Sequence, residues 1–220
     1  MLVRPFVQRL GLIGDVHGAR PELEQALAHF DRVGVDAVAA VGDYVDAPAF
    51  AEPDFDGCLS LLREAGAFCV RGNHDRWALT HKRRLWPGCV LKAELSEESQ
   101  AFLQGLSTTI KFRTVHGEAL LCHGLGTDDM SVLRNDTPLL IALHIPSLAR
   151  LIRDGPRFVL CGHTHDHMVR DFGELTVINA GALTLSHEPG FTLIDFEAGH
   201  VEFHAFGAPQ DAPAQVSSLR

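Results

Sequence analysis

One chemical pattern recurs along this 220-residue chain: short apolar runs end, usually through a glycine, in side chains able to hold a metal ion. The runs are LGLIGDVHG with Asp15 and His17, AVAAVGDYVD with Asp43 and Asp46, and AFCVRGNHD with Asn73, His74 and Asp75. Two more follow, ALLCHG with His123 and RFVLCGHTH with His163 and His165. Carboxylate, amide and imidazole donors without thiolate suit Mn, Fe, Zn, Co or Ni. They outnumber what one ion takes, which implies two. A pair of divalent ions about 3.5–4 Å apart can clamp a phosphoryl group and activate water near neutral pH. Each motif alone is weak, because Asp-x-His arises by chance, Gly42-Asp43 is a turn signal and Asn73-His74-Asp75 could cap a helix. Five in succession, each closing a candidate strand, exceed what turns and caps explain.

The segments that must position these residues alternate between strand and helix patterns. Apolar runs predict strands over residues 10–13, 37–41, 67–70 and 157–161. Apolar residues at helical spacing predict helices over 21–33 and 55–65, and a capping signal at Ser96 opens another that ends near Gly105. Residues 109–115 and 119–122 flank a hairpin turn, and two more hairpins are expected around Gly173 and Ala198-Gly199. Residues 139–152 look helical, but Pro146 must break or kink them. Early αβ units followed by hairpins predict an α/β fold with mixed sheets. In open α/β folds ligands gather beyond the carboxyl ends of the strands, where all five motifs fall. The expected organisation is one domain over residues 1–207 and a flexible polar tail over 208–220.

Charge raises a tension. Lys plus Arg total 19 against 28 Asp plus Glu, a formal charge of −9. Such a chain is a poor non-specific partner for nucleic acid or an anionic membrane, and a poor phosphate binder unless it holds cations. Two divalent ions against two ligating carboxylates would make the pocket locally positive. Five cysteines without a CxxC pair, no secretory-signal pattern and no long apolar stretch point to a cytoplasmic protein that does not enter membranes.

With the motifs in that order, the chain resembles the calcineurin-like metallophosphoesterases of small, single-domain prokaryotic type. The likeness runs from residue 11 to about 182 and rests on Asp15-x-His17, Gly42-Asp43-x-x-Asp46, Gly72-Asn73-His74-Asp75, His123-Gly124 and Gly162-His163-x-His165. It implies a four-layer α/β/β/α sandwich of two mixed sheets. It also implies one metal on Asp15, His17, Asp43 and His165, and a second on Asp43, Asn73, His123 and His163, manganese being favoured. Asp43 and a hydroxide would bridge them, and His74, oriented by Asp46, would be general acid to the leaving group. The implied activity is hydrolysis of small-molecule or nucleotide phosphoesters. Protein serine/threonine phosphatases and diadenosine tetraphosphate hydrolases share this centre but place a phosphate-gripping arginine after the second motif. Here Ala47 and Pro48 stand there. Arg71 and Arg76 are the candidate substitutes, and the Lys82-Arg83-Arg84 cluster reads as a solvated turn.

A non-catalytic binding module on the same fold is the rival from another class, but such proteins tend to lose ligands, and here every ligand position and His74 are filled. Among the remaining residues, Asp75 reads as a helix cap and Asp128-Asp129 as a helix start. Trp77 and Trp86 read as rim or core packing, and most other histidines as surface or hairpin residues, with His167 and His187 nearest the last motif.

Overall fold

The computed structural model describes residues 6–47, 52–80, 89–90, 92–184, 188–207, 213 and 215–219. Its elements in chain order are β1 (Phe6–Val7), β2 (Arg9–Ile13), α1 (Arg20–Val33), β3 (Ala37–Ala40), α2 (Phe55–Glu64), β4 (Phe68–Cys69), α3 (Asn73–Leu79) and α4 (Glu97–Gly105). Then come β5 (Thr109–Thr114), β6 (Gly117–Cys122), α5 (Leu139–Ala142), α6 (Pro146–Asp154), β7 (Phe158–Cys161), β8 (His167–Asp171), β9 (Thr176–Ala180), β10 (Gly190–Asp195), β11 (His200–Ala205) and β12 (Gln215–Ser218).

Two six-stranded mixed sheets result, in the orders β1-β5-β6-β7-β9-β8 and β12-β11-β10-β2-β3-β4. Strand alternation explains how they stack. In β2, Leu10 and Leu12 point between the sheets, where they join Phe112, Leu121, Phe158, Leu160, Ile178 and Phe203. Ile13, on the other parity, faces Leu23, Phe30, Leu59 and Leu62 of α1 and α2. In β7, Phe158 and Leu160 turn inward, whereas Val159 and Cys161 pack outward with Leu148 of α6. Three buried clusters therefore separate four layers, α/β/β/α, as the family resemblance implied.

The helices start where their sequences allow. Pro21 sits in the first turn of α1, where its missing N–H costs nothing. Asp54 caps α2 by accepting from the Gly57 N–H at 2.8 Å. Pro146 divides residues 139–152 into α5 and α6, as expected. The tail does not behave as expected. Residues 215–218 pair antiparallel with β11 and extend the second sheet. Polar composition does not prevent this, because an edge strand is held by backbone hydrogen bonds that any side chain permits. His29 and His204 also depart from a surface reading: both are buried, their rings 4.6 Å apart beneath α1.

The arrangement positions the site. β2, β3 and β4 run parallel in one sheet, and β6, β7 and β9 run parallel in the other. Asp15, Asp43, Asn73, His123 and His163 each lie just past the carboxyl end of one of these strands. A bridge between Asp15 and Ala182 ties the two sheets together at that end.

Candidate metal centre

The residues that sequence reasoning singled out converge. Asp15, His17 and His165 offer ligand atoms all within 4.8 Å of one another, and Asp43, His123 and His163 form a second such group. The Nε2 atoms of His17 and His165 approach to 3.3 Å. His123 Nε2 lies 3.2 Å from Asp43 Oδ2 and 2.9 Å from Asn73 Oδ1, which joins Asn73 to the second group. His123 Nε2 and His165 Nε2 stand 3.8 and 3.7 Å from Asp15 Oδ1, so the two groups adjoin.

The backbone is bent to make this possible. The non-glycine residues with positive φ among those described are His17, Asp43, Asp46, His163 and His165, every one from the motifs. An L-residue takes that conformation at a cost of about 1–3 kcal/mol, and such strain gathers at functional sites. Two glycines permit the close approach. A Cβ on Gly72 would lie 2.1 Å from Asp43 Oδ1, and one on Gly162 would lie 2.5 Å from Asp15 Oδ2.

Two of the histidines are held from behind. His17 Nδ1 is 2.7 Å from the Asp46 carbonyl oxygen, and His123 Nδ1 is 2.8 Å from that of Val41. With Nδ1–H donating, each ring turns its Nε2 lone pair into the centre, the arrangement metal-ligating histidines use. The donor chemistry, the convergence and the fixed tautomers fit two divalent ions, one in each group. Electrostatics without metal agrees. Burial opposes a charged His123, yet Asp43 and Asp15 push it up to about 10. Burial likewise opposes the Asp43 carboxylate, which the neighbouring histidines nonetheless hold well below its usual range. This negative cleft draws protons where it lacks metal.

His74 stands apart. Its Nδ1 is 2.7 Å from Asp46 Oδ2, its Nε2 is 4.0 Å from Asp43, and its side chain is 12% exposed. The other Asp46 oxygen accepts from the Val90 N–H at 2.6 Å. Burial disfavours protonation, but the Asp46 hydrogen bond and the Asp43 charge together raise its pKa above the ordinary histidine value. It stands at the edge of the two donor groups and belongs to neither.

Further residues complete the support. Asp75 caps α3 by accepting from the Gly72 N–H, as read from the sequence. It also accepts from Asp43 and Tyr44, each at 2.9 Å, and so locks the second motif to the third. Asp128 and Asp129 begin no helix. Leu125 and Asp128 close a tight turn by mutual backbone hydrogen bonds, Asp128 accepts from the Met130 N–H, and Asp129 takes Arg76 at 2.6 and 2.9 Å. Satisfying a turn and an arginine leaves neither carboxylate to cap a helix. Arg71 is half-buried and, among the described residues, makes no hydrogen bond or ion pair with the centre through its side chain. Trp77 stands edge-on to His74 at 4.9 Å and walls the site. Asn179 was missed: its Nδ2 donates to the Gly162 carbonyl and Thr164 Oγ1, and its Oδ1 accepts from Gly181. Its only signal was a polar residue inside the run TVINAGAL. Pro48, Lys82, Arg83, Arg84, Trp86 and His187 lie outside the described residues.

The model of the calcineurin-like phosphoesterase superfamily domain matches residues 9–199, nearly the whole chain. The chain belongs to the calcineurin-like phosphoesterase superfamily. A phosphoesterase of this superfamily is a metal-dependent phosphoester hydrolase, and the two donor groups accord with its dinuclear centre. In sequence the phosphoesterase is 29% identical over 194 residues to serine/threonine-protein phosphatase 1 of Salmonella typhimurium, covering 78% of this chain and 86% of that one. In structure it is similar to a metallophosphoesterase from Sphaerobacter thermophilus, with TM-score 0.65 and 21% identity over 90% of this chain and 88% of the other. It is also similar to the E. coli phosphoesterase YfcE, with TM-score 0.61 and 16% identity over 96% of this chain and all of that one. Those identities carry the fold.

Proposed function

We propose that this phosphoesterase hydrolyses phosphoesters of small molecules or nucleotides, with His74 as the proton donor to the leaving oxygen. The observation that carries the reading is the Asp46–His74 pair at 2.7 Å, beside two donor groups that already account for the other histidines. Asp15, His17, Asp43 and His165 would hold one metal, and Asp43, Asn73, His123 and His163 the other, with manganese the favoured ion. When bound, the metals polarise the phosphoryl oxygens and lower the pKa of a coordinated water. The chain's own residues do the rest. Asp43, between the groups, sets their spacing, and its Oδ1 accepts from the His74 N–H at 2.8 Å, which fixes α3 against the centre. Asp46 orients the His74 ring and raises its pKa above the ordinary histidine value, which favours the form whose Nε2 gives its proton as the ester bond breaks. Arg76, at the rim, can hydrogen-bond a phosphate oxygen. Five free cysteines suit a reducing compartment, and cytoplasmic location is part of the proposal.

A panel of p-nitrophenyl phosphate, bis-p-nitrophenyl phosphate and nucleotides across Mn²⁺, Ni²⁺, Co²⁺, Zn²⁺ and Mg²⁺ tests this reading. His74→Ala should bind both metals yet lose roughly 10²–10⁴ in kcat, the range for a general acid. Asp43→Ala should bind neither. A fully active His74→Ala would remove the proton-donor assignment. The Salmonella relative, a serine/threonine-protein phosphatase by name, favours a second reading in which the substrate is a phosphoprotein. Ala47 after Asp46 argues against it. Faster turnover of a phosphopeptide than of any small ester would make it the better one.

A further inference from the structure

One ion pair sets the charge at the mouth of the centre. Arg76, two positions past His74 on α3, donates through Nε and Nη2 to the two carboxylate oxygens of Asp129 at 2.6 and 2.9 Å. Asp129 lies on the loop that leaves His123. Its backbone packs so tightly on Gly124 that a Cβ there would sit 3.0 Å from the Asp129 carbonyl carbon. The pair thus spans the helix carrying Asn73 and His74 and the loop following His123, and its side chains remain 35% and 18% exposed. A guanidinium offers five N–H groups in a fixed fork. Asp129 occupies two and leaves three for a substrate oxygen.

What the pair lacks is net charge. Among the described residues, Asp129 faces Arg76, Asp46 faces His74, Ala47 follows Asp46, and the Arg71 side chain makes no hydrogen bond or ion pair with the centre. A phosphomonoester is mostly a dianion above about pH 6, its second pKa, whereas a phosphodiester carries one negative charge at every ordinary pH. The second charge of a monoester needs a cation, and among the described contacts Arg76 is already paired with Asp129. A diester instead brings a second organic substituent, and Trp77 stands 4.9 Å from the His74 ring as an apolar wall.

We propose that the Asp129–Arg76 pair makes this centre selective for phosphodiesters. Arg76 gives directional hydrogen bonds to a non-bridging oxygen, while Asp129 cancels the charge that would favour a dianion. The inference rests on the hydrolytic reading above and narrows its substrate class.

The test compares bis-p-nitrophenyl phosphate with p-nitrophenyl phosphate at pH 8 on the full metal-loaded chain. Wild type should favour the diester in kcat/KM. Asp129→Asn should raise the monoester-to-diester ratio about tenfold, the order expected of one partly screened charge acting on one extra substrate charge. Arg76→Gln leaves Asp129 unopposed and should lower the ratio. The double variant should bring the ratio back toward wild type even as both rates fall. A pair that only braced the fold would move both substrates together and show no such return. Calorimetric titration with inorganic phosphate and with diethyl phosphate gives a readout independent of turnover. Asp129→Asn should tighten phosphate about tenfold and diethyl phosphate far less. Wild-type preference for the monoester, an unchanged ratio in Asp129→Asn, or equal shifts for the two anions overturns the proposal. Absence of turnover of either ester with every metal would sink the hydrolytic reading instead, and the anion titrations would still decide charge selection.

Discussion

The centre is made by residues that accept poor backbone geometry in return for a common focus. Left-handed His17, Asp43, Asp46, His163 and His165 each turn the chain sharply at a strand end, so that donors remote in sequence meet. This part was legible. Asp, Asn and His after a glycine are unusual endings for apolar runs, and their chemistry names its own purpose. Asn179 and Asp129 were harder to read, because they act by bonding a few backbone groups or one arginine, as countless surface carboxylates and amides do. The tightness of the focus can be measured at Gly72. A methyl group there would meet Asp43 Oδ1 at 2.1 Å and the Asp43 backbone nitrogen at 2.5 Å, with no flexible neighbour to yield. Gly72→Ala should therefore retain near-native circular dichroism, bind fewer than two metals and lose at least about 10² in rate, as misplacement of a reacting group by roughly 1 Å does. Two bound metals with undiminished turnover would show that Asp43 tolerates displacement.

At the scale of elements, strand cores and helix faces followed from apolar periodicity, and the boundaries followed from Pro21, Ser96 and Pro146. β12 did not, since polar QVSS pairs only because β11 presents an otherwise open edge. Nor does α3 announce itself by periodicity: it begins at Asn73 and is anchored by Asp75 and Asp43 rather than by a long apolar face. The Asp54 cap yields a prediction with a definite sign. The hydrogen bond from Arg20, then that from the Gly57 N–H, holds the Asp54 carboxyl below the usual carboxylate range, with burial opposing slightly. A depressed folded pKa contributes stability above the unfolded value, about 3.9, and loses it as pH falls through the folded value. The exposed ion pair with Arg20 adds little, so the cap should dominate. Asp54→Ala should cost about 1 kcal/mol in urea denaturation at pH 7. The gap from wild type should narrow progressively below about pH 4. A gap that widened on acidification would refute the cap as its source.

For the whole molecule, three apolar clusters stack four layers, but the fold also gathers four buried carboxylates, Asp15, Asp43, Asp46 and Asp75, and five histidines at one end. Periodicity could announce a mixed α/β protein; the sandwich of two sheets came only from the resemblance to a known family, because no local pattern says which sheet a strand will join. Gathering like charges and imidazoles in a buried cleft couples folding to metal. Without it, burial works against a charged His123, yet Asp43 and Asp15 hold its pKa at about 10, so the ring is protonated near neutrality. Metal must displace that proton to reach Nε2, and uptake should release protons into a weakly buffered solution. Binding to the folded chain alone should also stabilise it, by about 4 kcal/mol for an ion present at a thousand times its Kd. In a domain of this size each kcal/mol moves Tm by roughly 2–4 °C. Treatment with a chelator should therefore lower Tm by about 10 °C and leave a single cooperative transition, since the core between the sheets does not involve the ligands. Readdition of Mn²⁺ should restore Tm and release protons together. A Tm indifferent to chelator, or metal uptake without proton release, would mean that the cleft is not the linked binding site described here.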